Sequence, residues 1–186
     1  MYEDAKSVIQ KLYKVRENHL DCIKDFDKII ETSPKKLMSK DKKVSVYGMF
    51  YPESQMANNF IYKGKLTTNE NKKDFVYYFD KKDRLILKIR CPEFSRVTYS
   101  FYYYYSDHIE FVRYDTIKQK VFVVGYLEYK NQKFSKFVES QDILSDDKIE
   151  SFREYMFDID PGYVTYRLYD GEDWDRITSK MEYFES

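Results

Sequence analysis

Between residues 43 and 138, about half of the 186-residue chain, apolar side chains recur with a period of two. That alternation belongs to strands with two unlike faces, not to helices. Candidate strands lie at 44–51, 59–67, 74–80, 84–91, 96–106, 109–115, 119–130 and 133–138. Short polar pieces separate them, including Lys81-Lys82-Asp83, Ser106-Asp107 and Asp115-Thr116. Links this short join neighbouring strands antiparallel, as a meander. Average usage of roughly 7% would supply about 13 glycines; the chain has 5. The turns must therefore be made by Asn, Asp and Lys.

Helical periodicity flanks this stretch. Over residues 3–32, Ala5, Val8, Ile9, Leu12, Val15, Leu20, Ile23, Phe26 and Ile30 recur at helical spacing, and Ser33-Pro34 ends the pattern. Past Val138, Ser145-Asp146-Asp147 resembles an N-cap region before Ile149, Phe152, Met156 and Phe157, which predicts a helix over 145–158. Residues 163–169 read as a further strand, and 173–184 as a short helix. The expected fold class is α+β: an N-terminal amphipathic helix packed on a mainly antiparallel β-meander sheet, with a helical acidic C-terminal part. The expected organisation is one domain, residues 1–186, made of a helix (1–34), a sheet (43–138) and an acidic helix-strand-helix end (139–186).

Strand parity assigns the faces. Leu85, Leu87 and Ile89 share one face, with Arg84, Lys88 and Arg90 opposite. Val97, Tyr99, Phe101, Tyr103 and Tyr105 share a face, with Tyr102 and Tyr104 opposite. Phe60, Tyr62 and Leu66 face away from Lys63 and Lys65. One face is thus apolar and suited to the helix, while the other is basic and aromatic. Strand 119–130 is apolar on both faces, which predicts a central position, covered on its second side by the 145–158 helix.

The formal net charge is zero, but the charge is unevenly spread. Residues 35–136 carry 21 basic and 11 acidic groups, and residues 137–186 carry 5 and 14. Such asymmetry steers association with charged partners. The N-terminus lacks the basic-then-apolar pattern of a secretion signal. The longest apolar stretch, 121–127, is far below the ~20 residues of a membrane helix. The expectation is a cytoplasmic protein without membrane contact, with Cys22 and Cys91 as reduced thiols.

Catalytic and metal signatures are missing. The two histidines, His19 and His108, are far apart in sequence. His19 falls near the apolar stripe of the first helix and reads as a satisfied boundary histidine. His108-x-Glu110 lacks the Pro-Cys-x-x-Cys partner of zinc deaminases. The runs from Asp158 and Asp170 fail the calcium-loop pattern, because Tyr169 stands at position 12 of the first and Trp174 at position 5 of the second. No Gly-rich phosphate loop or nucleophile elbow is present. These readings point to a non-enzyme with no cofactor and no metal.

Two binding surfaces remain. Trp174 sits in the acidic run Asp170, Glu172, Asp173 and Asp175, where an aromatic anchor ringed by carboxylates would suit a basic protein partner such as a nuclease. The alternative is a single-strand nucleic-acid platform, with Lys63, Lys65, Arg84, Lys88 and Arg90 on phosphates and Tyr102 and Tyr104 stacking bases. A third reading is a scaffold component, homodimeric through the tyrosine-rich strand.

A small chain with an amphipathic helix, a tyrosine-rich antiparallel meander, an acidic end and no catalytic motif resembles the immunity proteins of bacterial polymorphic-toxin and contact-dependent inhibition systems. The resemblance covers the whole chain as organisation and carries over no individual residue. It implies tight one-to-one neutralisation of a cognate toxin domain, such as a nuclease. Phage-encoded inhibitors of host defence nucleases have a similar organisation.

Overall fold

The computed structural model describes residues 4–39, 66–69, 74–91, 97–130, 133–140, 143, 148–157, 164–171 and 174–175. The chain divides into two compact units. The first gathers Met1–Leu20, Tyr103–Val112 and Val121–Ser186, and the second Asp21–Tyr102 and Arg113–Lys120. The class is α+β and the strand pairings are antiparallel. Among the described residues, no helix is long and apolar enough to cross a membrane.

The predicted N-terminal helix is broken. Helix α1 runs Ala5–Asn18, started by Asp4, whose carboxylate accepts the Ser7 N–H at 3.0 Å. A 3-10 turn follows at Cys22–Asp25, then helix α2 at Phe26–Thr32. The break changes the phase of the apolar stripe. Val8, Leu12 and Val15 are buried as expected, but Leu20 is left exposed. In the second unit Phe26 stacks on Tyr99 at 4.4 Å. Burial of the Cys22 thiol, with Asp25 nearby, pushes its pKa up to about 12, so it is an unreactive core thiol. Both cysteines are free thiols.

Strand order follows chain order in both units. The second unit holds β1 (Lys35–Ser39), β2 (Phe75–Phe79), β3 (Leu85–Arg90) and most of β4 (Thr98–Tyr104). The sequence pattern does not reveal β1, because Lys35-Lys36-Leu37-Met38 does not alternate. Strand β1 is anchored at its start by Ser33, whose hydroxyl donates to the Phe79 carbonyl at 2.7 Å. The sequence-predicted strands at 74–80, 84–91 and 96–106 correspond to β2, β3 and β4. The strand predicted at 44–51, and the one at 59–67 before residue 66, lie outside the described residues. Thr67 itself bridges Met38.

Two of the described turns work without glycine, as its scarcity predicts. In the β2–β3 link, Asp80 Oδ1 accepts the Lys82 and Arg84 N–H groups, both at 2.9 Å, and Asp83 takes a φ of 63°. After β5 (His108–Asp115), Asp115 Oδ1 accepts the N–H groups of Ile117 and Lys118, and Gln119 takes a φ of 52°. Short polar side chains hydrogen-bond their own turn backbone and so replace glycine's conformational freedom.

The first unit continues with β6 (Lys120–Lys130), β7 (Lys133–Ser140), β8 (Phe152–Phe157), β9 (Val164–Tyr169) and the two-residue β10 (Trp174–Asp175). Strand β6 is buried on both faces, as its sequence predicts: Val121 and Val123 on one, Val124 and Tyr126 on the other. A 145–158 helix does not cover it: within that segment residues 152–157 form strand β8, paired with β7 and β9, and 148–151 are not helical. The helical C-terminal part is therefore corrected: its described regular elements are strands, at 152–157, 164–169 and 174–175. Ile149, Phe152 and Met156 fit a helical spacing, but residues 152–157 also alternate. Phe152, Glu154 and Met156 stand on one face of β8 and Arg153 and Tyr155 on the other. Glu154 is fully buried, and Arg167 on β9 and Lys136 on β7 close on it. Both partners are cations on strands, which explains how a carboxylate can occupy a core position there. Of the predicted 173–184 helix, only Trp174 and Asp175 are described, and they pair with Tyr169 and Leu168 as a strand.

Gly125 on β6 is needed for close approach. A Cβ there would overlap the Val138 carbonyl oxygen and the Phe111 ring. Phe111 in turn stacks on Phe137 at 5.5 Å. Replacing Gly125 with Ala should destabilise the protein by roughly 2–3 kcal/mol through overpacking. Urea denaturation checks this, and an unchanged midpoint would contradict the packing described.

Candidate functional site

The two histidines converge on one carboxylate. His19 is the C-cap of α1, where its N–H bonds the Arg16 carbonyl at 3.1 Å. That placement swings its ring off the helix, and its Nε2 lies 2.7 Å from Glu110 Oε2. The imidazole also stacks on Tyr103, with centroids 3.7 Å apart. His108 and Glu110 are two residues apart on β5 and so share a face. His108 Nε2 lies 3.5 Å from Glu110 Oε1, and its Nδ1 lies 2.7 Å from Asp107 Oδ1. Tyr105 stacks on His108 at 4.5 Å with the rings nearly parallel.

Glu110 is a buried hub, with 6% of its surface exposed. Burial pushes its carboxyl up, but the hydrogen bond and attraction of His19, and hydrogen bonds from Asn18 and His108, hold it below the usual value. The His108 hydrogen bond likewise holds Asp107 down. Burial raises Tyr105, and the neighbouring Glu110 charge and the hydrogen bond to it add to the rise. The result is an ionised carboxylate held by donors from α1 and from the β4–β5 hairpin.

A cavity of about 520 Å³ opens beside this hub. Lys11, Lys14, Val15 and Asn18 line it from α1, at the three- and four-residue spacings that share a helix face. The hairpin contributes Tyr105, Asp107, His108 and Glu110. Strand β6 contributes Tyr126, Glu128 and Tyr129. Adjacent strand residues normally face opposite ways, but a register shift falls between Glu128 and Tyr129, so both reach one cavity. The Tyr129 N–H then bonds the Asp107 carbonyl at 3.1 Å. Lys11 Nζ lies 3.2 Å from Glu128 Oε1 and 5.6 Å from the centre of the Tyr126 ring.

Both ring nitrogens of His108 face carboxylates, and His19 is buried against Glu110. Among the described residues, no group of three or more His, Cys, Asp or Glu side chains is arranged to hold a metal ion. The walls offer aromatic faces and charges of both signs.

The surfaces expected from sequence are distributed differently. Asp170 is exposed, Trp174 and Asp175 form β10, and Glu172 and Asp173 lie outside the described residues. On the nucleic-acid surface, Lys63 and Lys65 lie outside the described residues. Arg84 is paired with Asp80 at 2.7 Å, and Arg90 is exposed. Lys88 and Tyr102 are buried, 6% and 3% exposed, and Tyr104 is half-buried. A buried Tyr102 cannot stack a base, and Lys88 lies over the Phe75 ring at 5.9 Å. His19 is the satisfied boundary histidine its position predicts. The hub itself escapes sequence reasoning, because 91 residues separate His19 from Glu110. The one available signal is the shared parity of His108 and Glu110. Comparison with protein-family models, with curated proteins and with solved structures found no match to this chain.

Glu110→Gln should cost about 1–3 kcal/mol, because buried donors lose an ionised acceptor. The native Glu110 carboxyl titrates below its unfolded value of about 4.3. Its contribution is therefore complete above that value and is lost as pH falls through the native value. Chemical denaturation from neutral pH down to about pH 3 should show a flatter acid slope in the variant. Parallel slopes would contradict the Glu110 assignment.

Proposed function

We propose that this protein is a non-enzymatic inhibitor of the immunity type, which neutralises a cognate toxin in the cytoplasm by covering its active site. The partner is a basic protein, such as a nuclease, whose phosphate-handling surface is complementary to carboxylates. The observation that carries the reading is the tyrosine-walled cavity beside Glu110. Tyr105 stands on its rim 46% exposed, and the Asp107 side chain is 80% exposed. Tyrosine is among the residues enriched at the few positions that dominate binding energy in protein interfaces. Asp170 and the β10 residues Trp174 and Asp175, from the acidic run expected to meet the partner, belong to the same unit by chain membership. The nucleic-acid reading is not favoured, given the burial of Lys88 and Tyr102.

Affinity capture from lysate of the protein's own source, read by mass spectrometry with and without nuclease, tests the proposal. The expected result is one nuclease-resistant protein at near-equal stoichiometry, strongly reduced when Asp107→Lys is the bait. Recovery of RNA or DNA, or a partner lost on nuclease treatment, would contradict it.

A further inference from the structure

We propose that the cavity beside Glu110 is a seat for a guanidinium, taking the arginine side chain of a basic protein partner; this deepens the inhibitor reading and rests on it. The structure already contains a cation in such a seat. Lys11 Nζ lies 3.2 Å from Glu128 Oε1 and 5.6 Å from the centre of the Tyr126 ring, so a carboxylate and a tyrosine face hold an ammonium together. The Lys11 side chain is 48% exposed, so it belongs to the class of surface pairs that stabilise a protein little and exchange readily. Tyr126 is itself buried, with Lys136 Nζ also 5.6 Å from its ring centre, so a guanidinium would meet Glu128 and the exposed rim rather than replace Lys11 on that ring. A guanidinium is planar, stacks on aromatic faces and presents paired donors to a carboxylate.

The rest of the lining supports this choice. Tyr105, held flat against His108 and 46% exposed, offers the open aromatic face. Asp107 adds a carboxylate whose pKa the His108 hydrogen bond holds below its ordinary value. Glu110 contributes negative potential while its own oxygens are occupied by His19 and His108. A buried, already-bonded carboxylate attracts a cation without having to give up water when the cation arrives. Lys14 opposes the assignment, since with Lys11 it would favour an anion. The two ligand classes make opposite predictions for one substitution. Removing the resident ammonium opens the seat to a guanidinium, but deletes a partner for an anion.

The test titrates the full chain with three probes: the peptide acetyl-Gly-Arg-Gly-amide, the same peptide with citrulline in place of arginine, and inorganic phosphate. Tyrosine ring resonances report occupancy. The arginine peptide should bind with a Kd on the order of 1 mM, and the citrulline peptide about tenfold more weakly. Lys11→Met should tighten arginine-peptide binding about threefold or more, a gain that misfolding cannot produce. Asp107→Asn with Glu128→Gln should weaken it about tenfold. No binding of the arginine peptide, equal binding of the citrulline peptide, or phosphate binding that Lys11→Met abolishes would each overturn the seat. The arginine peptide decides the chemistry of the seat, whereas affinity capture decides the inhibitor reading. A chain that captures a protein but ignores the peptide overturns the seat alone. A chain that binds the peptide but captures no protein overturns the inhibitor reading and leaves the seat supported.

Discussion

The Glu110 carboxylate is the interaction on which the first unit's site depends. A lone buried carboxylate is costly, and it persists only where donors replace its water. Here the replacement comes from His19 at the end of α1 and from His108 on the same strand. The consequence is geometric: the end of the helix is tied to one place on the hairpin. Lys11, Lys14 and Val15, one to two turns back along α1, are thereby set over Tyr126 and Glu128. The end of α1 falls at the same place. The backbone leaves the helix at His19, whose ring stacks on Tyr103 and reaches Glu110, and the next residue, Leu20, is exposed.

Charge plays two different parts in this unit. Around Glu154 the ions are structural, with a fully buried carboxylate closed by Lys136 and Arg167 across adjacent strands. Removing Glu154 there would leave two buried cations without that carboxylate. Around the cavity the ions are partly exposed and exchangeable, as the Lys11–Glu128 pair illustrates. Glu110 sits between these regimes: buried enough to organise, close enough to the cavity to set its potential.

The sheet is largely legible in the sequence, and the site is not. Period two locates β2 to β7 because each strand buries one or both faces in register with its chain neighbours. Asp80 and Asp115 are legible as turn formers, since the chain has few glycines to use instead. Strand β1 escapes because two lysines at its start hide the alternation. Strand β8 is hidden because Ile149, Phe152 and Met156 also fit a helix. What decides for the strand is Glu154, whose inward position makes sense only once Lys136 and Arg167 are beside it. The parity of His108 and Glu110 is readable, but His19 arrives from a distant helix. A sequence pattern carries no record of such a long-range pairing. Parity also places Lys88 and Tyr102 on an outer face, and both are buried.

Histidine side-chain NMR can show whether one carboxylate holds both imidazoles. With histidine labelled in ring nitrogen and carbon, the native protein and the Glu110→Gln variant are compared at neutral pH. The Nε2 signals of His19 and His108 should both move in the variant, because a neutral amide supports neither bond as the carboxylate does. A shift confined to one imidazole, or to neither, would contradict the shared hub.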